Sequence, residues 1–290
     1  SHRGRKSPRR RQISFMEASS DKAVELRSVT KRFGELIADD RVALTLKEGE
    51  VLALLGENGA GKTTLMKILC GFYRPDEGAI FIHGRREDFH SPADAIRCGI
   101  GMVHQHFELV PTLTVAENVM LGQKALPGGV LDMRGSREKI DSFSRQYGLP
   151  VDSSALVSDL AVGVQQRVEI LKSLIRGAQI LILDEPTAVL TPQEAECLFA
   201  TIRRLTAEGK SVIFISHKLR EVLAIADRIL ILREGKASGE FSRGEATEAV
   251  LAAAMVGREL LADLPAGRRV GEAVVLDVRN LSVSRGNGLP

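Results

Sequence analysis

The run Gly56-Glu57-Asn58-Gly59-Ala60-Gly61-Lys62-Thr63, followed by Thr64, fits the pattern G-x-x-x-x-G-K-[ST]. Residue types in this order suit one task, the holding of phosphate. Glycines let the backbone wrap closely enough for its N–H groups to point inward at phosphate oxygens. A helix that starts at Lys62 adds the partial positive charge of its N-terminus. Lys62 is placed to reach the β and γ phosphates of a nucleoside triphosphate, and Thr63 to ligate Mg²⁺. A second run, Ile180-Leu181-Ile182-Leu183-Asp184-Glu185, sets two carboxylates at the end of an apolar stretch. Asp184 can hold Mg²⁺ directly or through water. Glu185 can polarise a water that attacks the γ-phosphate.

These groups need rigid elements behind them. Val24–Val29 and Val42–Leu46 alternate apolar and polar residues, and Val51–Leu55 is a continuous apolar run, so residues 22–55 read as strands. Lys62–Cys70 reads as a helix closed by Gly71. Ala79–His83 is expected to be a short strand, and residues 92–148 to be mostly helical, with loops at Pro111 and Pro127–Gly129. Further on, a helix over 163–176, a buried strand Ile180–Leu183, a helix over 192–208, a strand Ser211–Ile215, a helix Leu219–Ala226 and a strand Ile229–Leu232 follow in turn. That alternation predicts a mostly parallel sheet covered on both faces. In such a sheet ligands bind beyond the carboxyl ends of the strands, where both candidate motifs fall.

The composition fits this reading. The chain has 290 residues, 44% of them hydrophobic and 27% charged, close to a soluble globular average. No apolar run approaches the roughly 18–20 residues needed to cross a bilayer, so any work at a membrane requires another subunit to span it. The net charge of +3 is carried by Arg3, Arg5, Lys6, Arg9, Arg10 and Arg11; without those six cations the remainder stands at −3. A basic run can bind nucleic acid or anionic lipid, but here it reads as a disordered leader over residues 1–21, and no nucleic-acid partner is expected. Cys70, Cys98 and Cys197 are far apart and odd in number, which suits a reducing compartment and argues against disulfides or zinc. Val24–Thr30 also aligns with Leu276–Ser282, as apolar, acid, apolar, Arg, polar, apolar, hydroxyl. The expected organisation is a main domain over 22–263, a linker over 264–272 and the opening strand of a second copy over 273–290.

Between the two motifs lies Leu160-Ala161-Val162-Gly163-Val164-Gln165-Gln166-Arg167-Val168, and downstream lies Ile215-Ser216-His217. With the phosphate loop and Asp184-Glu185-Pro186-Thr187, this order resembles the nucleotide-binding subunits of ABC transporters. Met102–Phe107, Thr114–Val119 and Asp184–Glu194 look more narrowly like the tandem ATPases of bacterial simple-sugar and nucleoside importers. The resemblance implies a P-loop NTPase fold: an α/β RecA-like core with a mostly parallel sheet, an antiparallel β subdomain, and an inserted helical subdomain at about 106–176. It implies ATP and Mg²⁺ as ligands, and a peripheral position on the cytoplasmic face of the membrane. Its partners would be membrane permease subunits, a second nucleotide-binding module and, indirectly, a solute-binding protein. By position, Phe33 matches the aromatic on which adenine stacks. Gln105 matches the glutamine that touches Mg²⁺ or the lytic water, Phe107–Gly122 the segment that receives a coupling helix of the membrane subunit, and His217 the histidine that contacts the γ-phosphate and positions Glu185.

The run Leu160–Val164 departs from the family signature, Leu-Ser-Gly-Gly-Gln. Ala161 replaces the serine, Val162 the first glycine and Val164 the glutamine. In this family the signature of one module completes the phosphate loop of the other. The resemblance therefore implies an asymmetric pair, in which Ala161 and Gly163 face a weak site while Lys62, Asp184, Glu185, Gln105 and His217 serve a hydrolytic one. Two rival readings are a soluble relative acting on DNA or the ribosome, and a module that holds ATP without turnover. Against the first, the span from Gln105 to Leu160 has no room for a long coiled coil, and against the second stands Glu185.

Overall fold

The strands that carry the candidate chemistry are apolar at every position but their ends because both of their faces are covered. In the computed structural model, which describes residues 21–105, 107–122 and 132–256 together with Arg279, strands β3 (Val51–Leu55), β7 (Ile180–Asp184) and β8 (Ser211–Ile215) are almost wholly buried. Alternate residues enter two separate cores. Leu52, Leu54, Ile180, Ile182, Ile213 and Ile215 pack with helix α1 (Lys62–Leu69). Leu55, Leu181, Leu183, Val212 and Phe214 pack with helices α5 (Val162–Ile175) and α6 (Pro192–Ala207).

The six-stranded sheet runs β10-β9-β3-β8-β7-β6, with β6 Ile100–Val103, β9 Arg228–Arg233 and β10 Lys236–Ser242. All its pairings are parallel except that of β10 with β9. A second sheet, β2-β1-β4-β5, is antiparallel throughout and is built from β1 (Lys22–Phe33), β2 (Leu36–Lys47), β4 (Glu77–Ile82) and β5 (Arg85–Glu87). Its long hairpin is irregular. Ser28 and Arg41 take φ of 48° and 50°, and the register of β1 against β2 shifts beside both. Such bulges re-aim side chains, and the one at Arg41 brings Asp39 to a buried position.

A third, smaller core joins α3 (Val115–Met120), α4 (Met133–Tyr147) and α5 through Val115, Ala116, Val119, Ile140, Val157 and Val168. Thr114 caps α3 in a capping box with Glu117, an arrangement worth about 1 kcal/mol. Asn118, fully buried, accepts from the Val110 N–H at 2.7 Å and donates to the carbonyls of Val110, Leu113 and Thr114. These bonds tie the loop after β6 to the helices. Helices α2 (Pro92–Arg97), α7 (Leu219–Ile225) and α8 (Glu248–Val256) complete the fold.

The region 92–148 departs from its helical expectation at β6, a strand of four residues. Gly101 lies at its centre because a Cβ there would come within 2.9 Å of the Ala178 Cβ and 3.0 Å of the Ser173 Cβ. Close packing against the end of α5 thus removes the apolar side chain that would have marked the strand. Strands β5 and β10 and helix α8 had no counterpart in the sequence reading. The chain divides into two compact units, Ser1–Arg258 and Glu259–Pro290. The leader up to residue 20, the Pro127–Gly129 loop, the linker and, apart from Arg279, the repeated opening strand lie outside the described residues. Among the described residues no helix is long and apolar enough to cross a membrane.

Candidate nucleotide site

Strand order does the assembling. Neighbouring strands β3, β8, β7 and β6 end, at their carboxyl edge, in Gly56, Ser216, Glu185 and His104-Gln105 respectively. Four motifs spread over some 160 residues of sequence thereby meet at one crevice. There an open cavity of about 540 Å³ is lined by Phe33, the Asn58–Thr64 segment, Gln105, Asp184 and Glu185. That volume lies within the range of small-molecule sites.

The phosphate loop is held in shape by its own lysine. Lys62 is 7% exposed, and its Nζ donates to the carbonyls of Gly56 at 2.6 Å and Glu57 at 3.0 Å. Burial lowers its pKa, while the nearby charges of Glu185 and Asp184 act to raise it. Gly61 caps α1 with φ of 103°, and a Cβ there would overlap the Asp39 carboxyl group. Only glycine satisfies both conditions.

Asp184 ends β7, and its pKa is raised by burial first and by the charge of Glu185 second. Glu185 follows with φ of 49°, a left-handed backbone unusual for this residue type. Its N–H donates to the Ile215 carbonyl at 3.0 Å, which fixes the turn. Its Oε1 lies 2.8 Å from His217 Nδ1, whereas its Oε2 is buried with no partner. An oriented carboxylate that lines a crevice can accept a proton from a bound water.

Phe33 is the last residue of β1, half-exposed at the hairpin tip and edge-on to Tyr73. Gly56 and Glu57 do not line the cavity but hold Lys62 through their carbonyls. His217 reaches the site through Glu185. The run Leu160–Val164 stands apart. Ala161 is the N-cap of α5 and makes no side-chain cap bond, and Gly163 lines a different hollow with Glu194. Leu36, Ile37, Ala38, Glu234 and Gly235 also line the nucleotide cavity and went unread in the sequence. The pair Leu36-Ile37, apolar yet exposed beside a Phe-Gly turn, was the available signal.

Another hollow, of about 180 Å³, opens where β6 and α2 meet α5. It is lined by Phe72, Ile96, Met102, His104, Glu108 and Lys172 among others. Phe72 is 51% exposed and Ile96 42%.

The family model described as ABC transporter matches residues 40–188, half of the sequence, including the phosphate loop and the Asp184-Glu185 pair. The chain belongs to the ABC transporter family. This ABC transporter chain is 47% identical over 270 residues to the nucleoside import ATP-binding protein NupA of Lactococcus lactis, covering 93% of the chain and 53% of the relative. To the ribose import ATP-binding protein RbsA 3 of Rubrobacter xylanophilus it is 46% identical, covering 89% of the chain and 52% of the relative. It thus spans about half the length of the curated relatives it matches. Among solved ABC transporter structures, the ATP-binding cassette MJ1267 in its ADP conformation superposes with a TM-score of 0.72 at 25% identity, over 82% of this chain and 98% of that one. The dimeric bacterial cassette MJ0796 superposes with a TM-score of 0.65 at 28% identity, over 76% and 98%.

Proposed function

We propose that this ABC transporter chain binds ATP with Mg²⁺ in the cavity at the strand ends and hydrolyses it. The hydrolysis would power import of a small solute, a sugar or a nucleoside, through separate membrane subunits. One observation carries the reading: a buried lysine and two carboxylates converge on a single hollow floored by a glycine-rich loop, and a histidine holds one of the carboxylates from outside it. Lys62 and the N–H groups of residues 58–64 take the phosphates. Phe33 offers a face for the base. Glu185, oriented by His217, takes the proton of the attacking water, and His217 faces the γ-phosphate. The residues also fit Mg²⁺. Among the described residues no group of three or more His, Cys, Asp or Glu side chains could hold a metal alone, whereas Mg²⁺ binds through one or two carboxylates, water and substrate phosphates. Thr63, Asp184 and Gln105 would hold it, and bound there it would offset charge on the phosphate oxygens.

Placement at the cytoplasmic face of the membrane, as a peripheral subunit, follows from this role. The hollow at Phe72 and Ile96, which His104 and Glu108 on either side of Gln105 also line, suits a helix of a membrane subunit, since exposed apolar side chains that rim a groove mark partner sites. The choice of sugar or nucleoside rests on what the similar proteins are named for. The test is uptake by vesicles that hold the complete polypeptide, its membrane subunits and its solute-binding protein. Labelled sugar or nucleoside is expected to accumulate only with ATP at the ATPase face. ATP turnover without accumulation of either class would overturn the import reading.

The altered signature supports the asymmetric pair. Ala161 has no hydroxyl to donate to a partner's phosphate, and each lost charge-assisted contact costs roughly 1.5–3 kcal/mol. The site built on Lys62 is therefore expected to turn over ATP, and the one facing Ala161 to be weak. Vanadate trapping with photoreactive ATP in the complete polypeptide reads this directly, and label found mainly on the other module's phosphate loop would refute the asymmetry.

A further inference from the structure

We propose that Asp39 is a positioning residue of the nucleotide site, its buried carboxyl group bracing Gly61 from behind the phosphate loop. Asp39 is 0% exposed, and neither of its carboxyl oxygens has a hydrogen-bond partner. Its Oδ1 occupies the space that a Cβ on Gly61 would need, and the Ala38 carbonyl lies 2.8 Å from the same point. On the other side, Gly235 in the β9–β10 turn packs on Ala38, accepts from the Asp40 N–H at 2.7 Å and donates to the Ala60 carbonyl at 3.1 Å. Asp39 is therefore enclosed by three segments, and Ala38, Ala60, Gly61 and Gly235, from all three, line the cavity. The bulge that brings it inward is secured by the Arg41 N–H, which donates to Thr30 Oγ1 at 3.0 Å.

The brace works in the neutral form. A buried carboxylate without a partner is costly, so the group keeps its proton instead. The charged neighbours are engaged elsewhere. Lys62 bonds to loop carbonyls. Lys31, opposite Asp39 in the hairpin register, pairs with Asp76. Lys236 and Arg41 pair with Asp40, and Glu234 with Arg233. Burial alone raises the Asp39 carboxyl to about 7. The sign of the linkage follows. A carboxyl raised in the folded state favours folding at low pH, and that advantage is lost as pH climbs through about 7. An ionised Asp39 would also compete with phosphate for the positive end of α1. Nucleotide affinity falls over the same pH range, and by reciprocity nucleotide binding takes up a proton.

The inference rests on the proposed nucleotide site, and the experiment separates the two. MgADP is titrated calorimetrically into the complete polypeptide at pH 6 and pH 8.5, in buffers of different ionisation heat. Wild type is expected to lose about tenfold more affinity across this range than Asp39→Asn, and to take up a proton near pH 7 that the variant does not. Asparagine keeps the shape and removes the titration, while the titration of the nucleotide itself cancels between the two proteins. Asp39→Ala, which removes the brace, is expected to bind more weakly at both pH values. Equal slopes and equal proton counts for wild type and Asp39→Asn would overturn the proposal. Wild type that binds no MgADP at either pH would sink the nucleotide site itself. If Asp39→Asn does not fold, isotope-edited infrared spectra of ¹³C-Asp wild type decide. A protonated-acid band that grows when MgADP is added near pH 7 supports the brace, and no such band overturns it.

Discussion

Replacing Glu185 with glutamine is expected to slow ATP hydrolysis by about 10²–10⁴-fold, the usual contribution of a general base, while leaving nucleotide affinity unchanged or higher. Glutamine has the same shape and can keep the contact that holds Oε1 2.8 Å from His217 Nδ1. It cannot accept a proton, whereas the carboxylate of Glu185 at the cavity wall can. Binding is spared or improved because a negative charge beside the γ-phosphate has been removed. Single-turnover hydrolysis and equilibrium binding of ATP, in the complete polypeptide with its membrane subunits, separate the two effects. A variant that hydrolyses at the wild-type rate would show that water is activated elsewhere.

Lys62→Ala is expected to act on the opposite quantity, weakening MgATP binding by roughly 10²–10⁴-fold. Two charge-assisted contacts to phosphate are lost, each worth roughly 1.5–3 kcal/mol, and every 1.4 kcal/mol is about tenfold in affinity. The loss is compounded because Asp184 and Glu185 then face the phosphates with no cation from the protein. Lys62 Nζ also ties together the carbonyls of Gly56 and Glu57, so the loop itself should loosen in the variant. Calorimetric titration with MgATP measures the affinity, and hydrogen exchange at residues 56–61 measures the loosening. Wild-type affinity in the variant would show that backbone amides alone carry the phosphates.

Much of this arrangement was legible in the residues because the chemistry admits few alternatives. Phosphate binding on a helix N-terminus demands glycines and a lysine at fixed offsets, and strands buried on both faces show as unbroken apolar runs at Val51–Leu55 and Ile180–Leu183. Proximity was not legible in the same way. The order β9-β3-β8-β7-β6 differs from chain order, so the residues alone do not bring Gln105 and Asp184 to one cavity or His217 to Glu185. Strand β6 escaped because close helix packing favours glycine at its centre. Asp39 escaped because a bulge, which depends on both hairpin strands, decides which way an acidic residue in a polar stretch faces. Leu36 and Ile37 read as strand residues, and their place beside the nucleotide cavity depends on how the antiparallel sheet leans over the loop.

The left-handed backbone at Glu185 sets heat tolerance against work. A side chain held in that conformation costs about 1–2 kcal/mol relative to glycine, and φ of 49° marks it. Any search for hardier variants, in the laboratory or by drift under warm conditions, would be drawn to glycine or asparagine at this position, because each would relax the turn. Each would also remove the carboxylate. The protein keeps a local weakness where it needs its reactive group, and robustness is better sought in the surrounding sheet and helices.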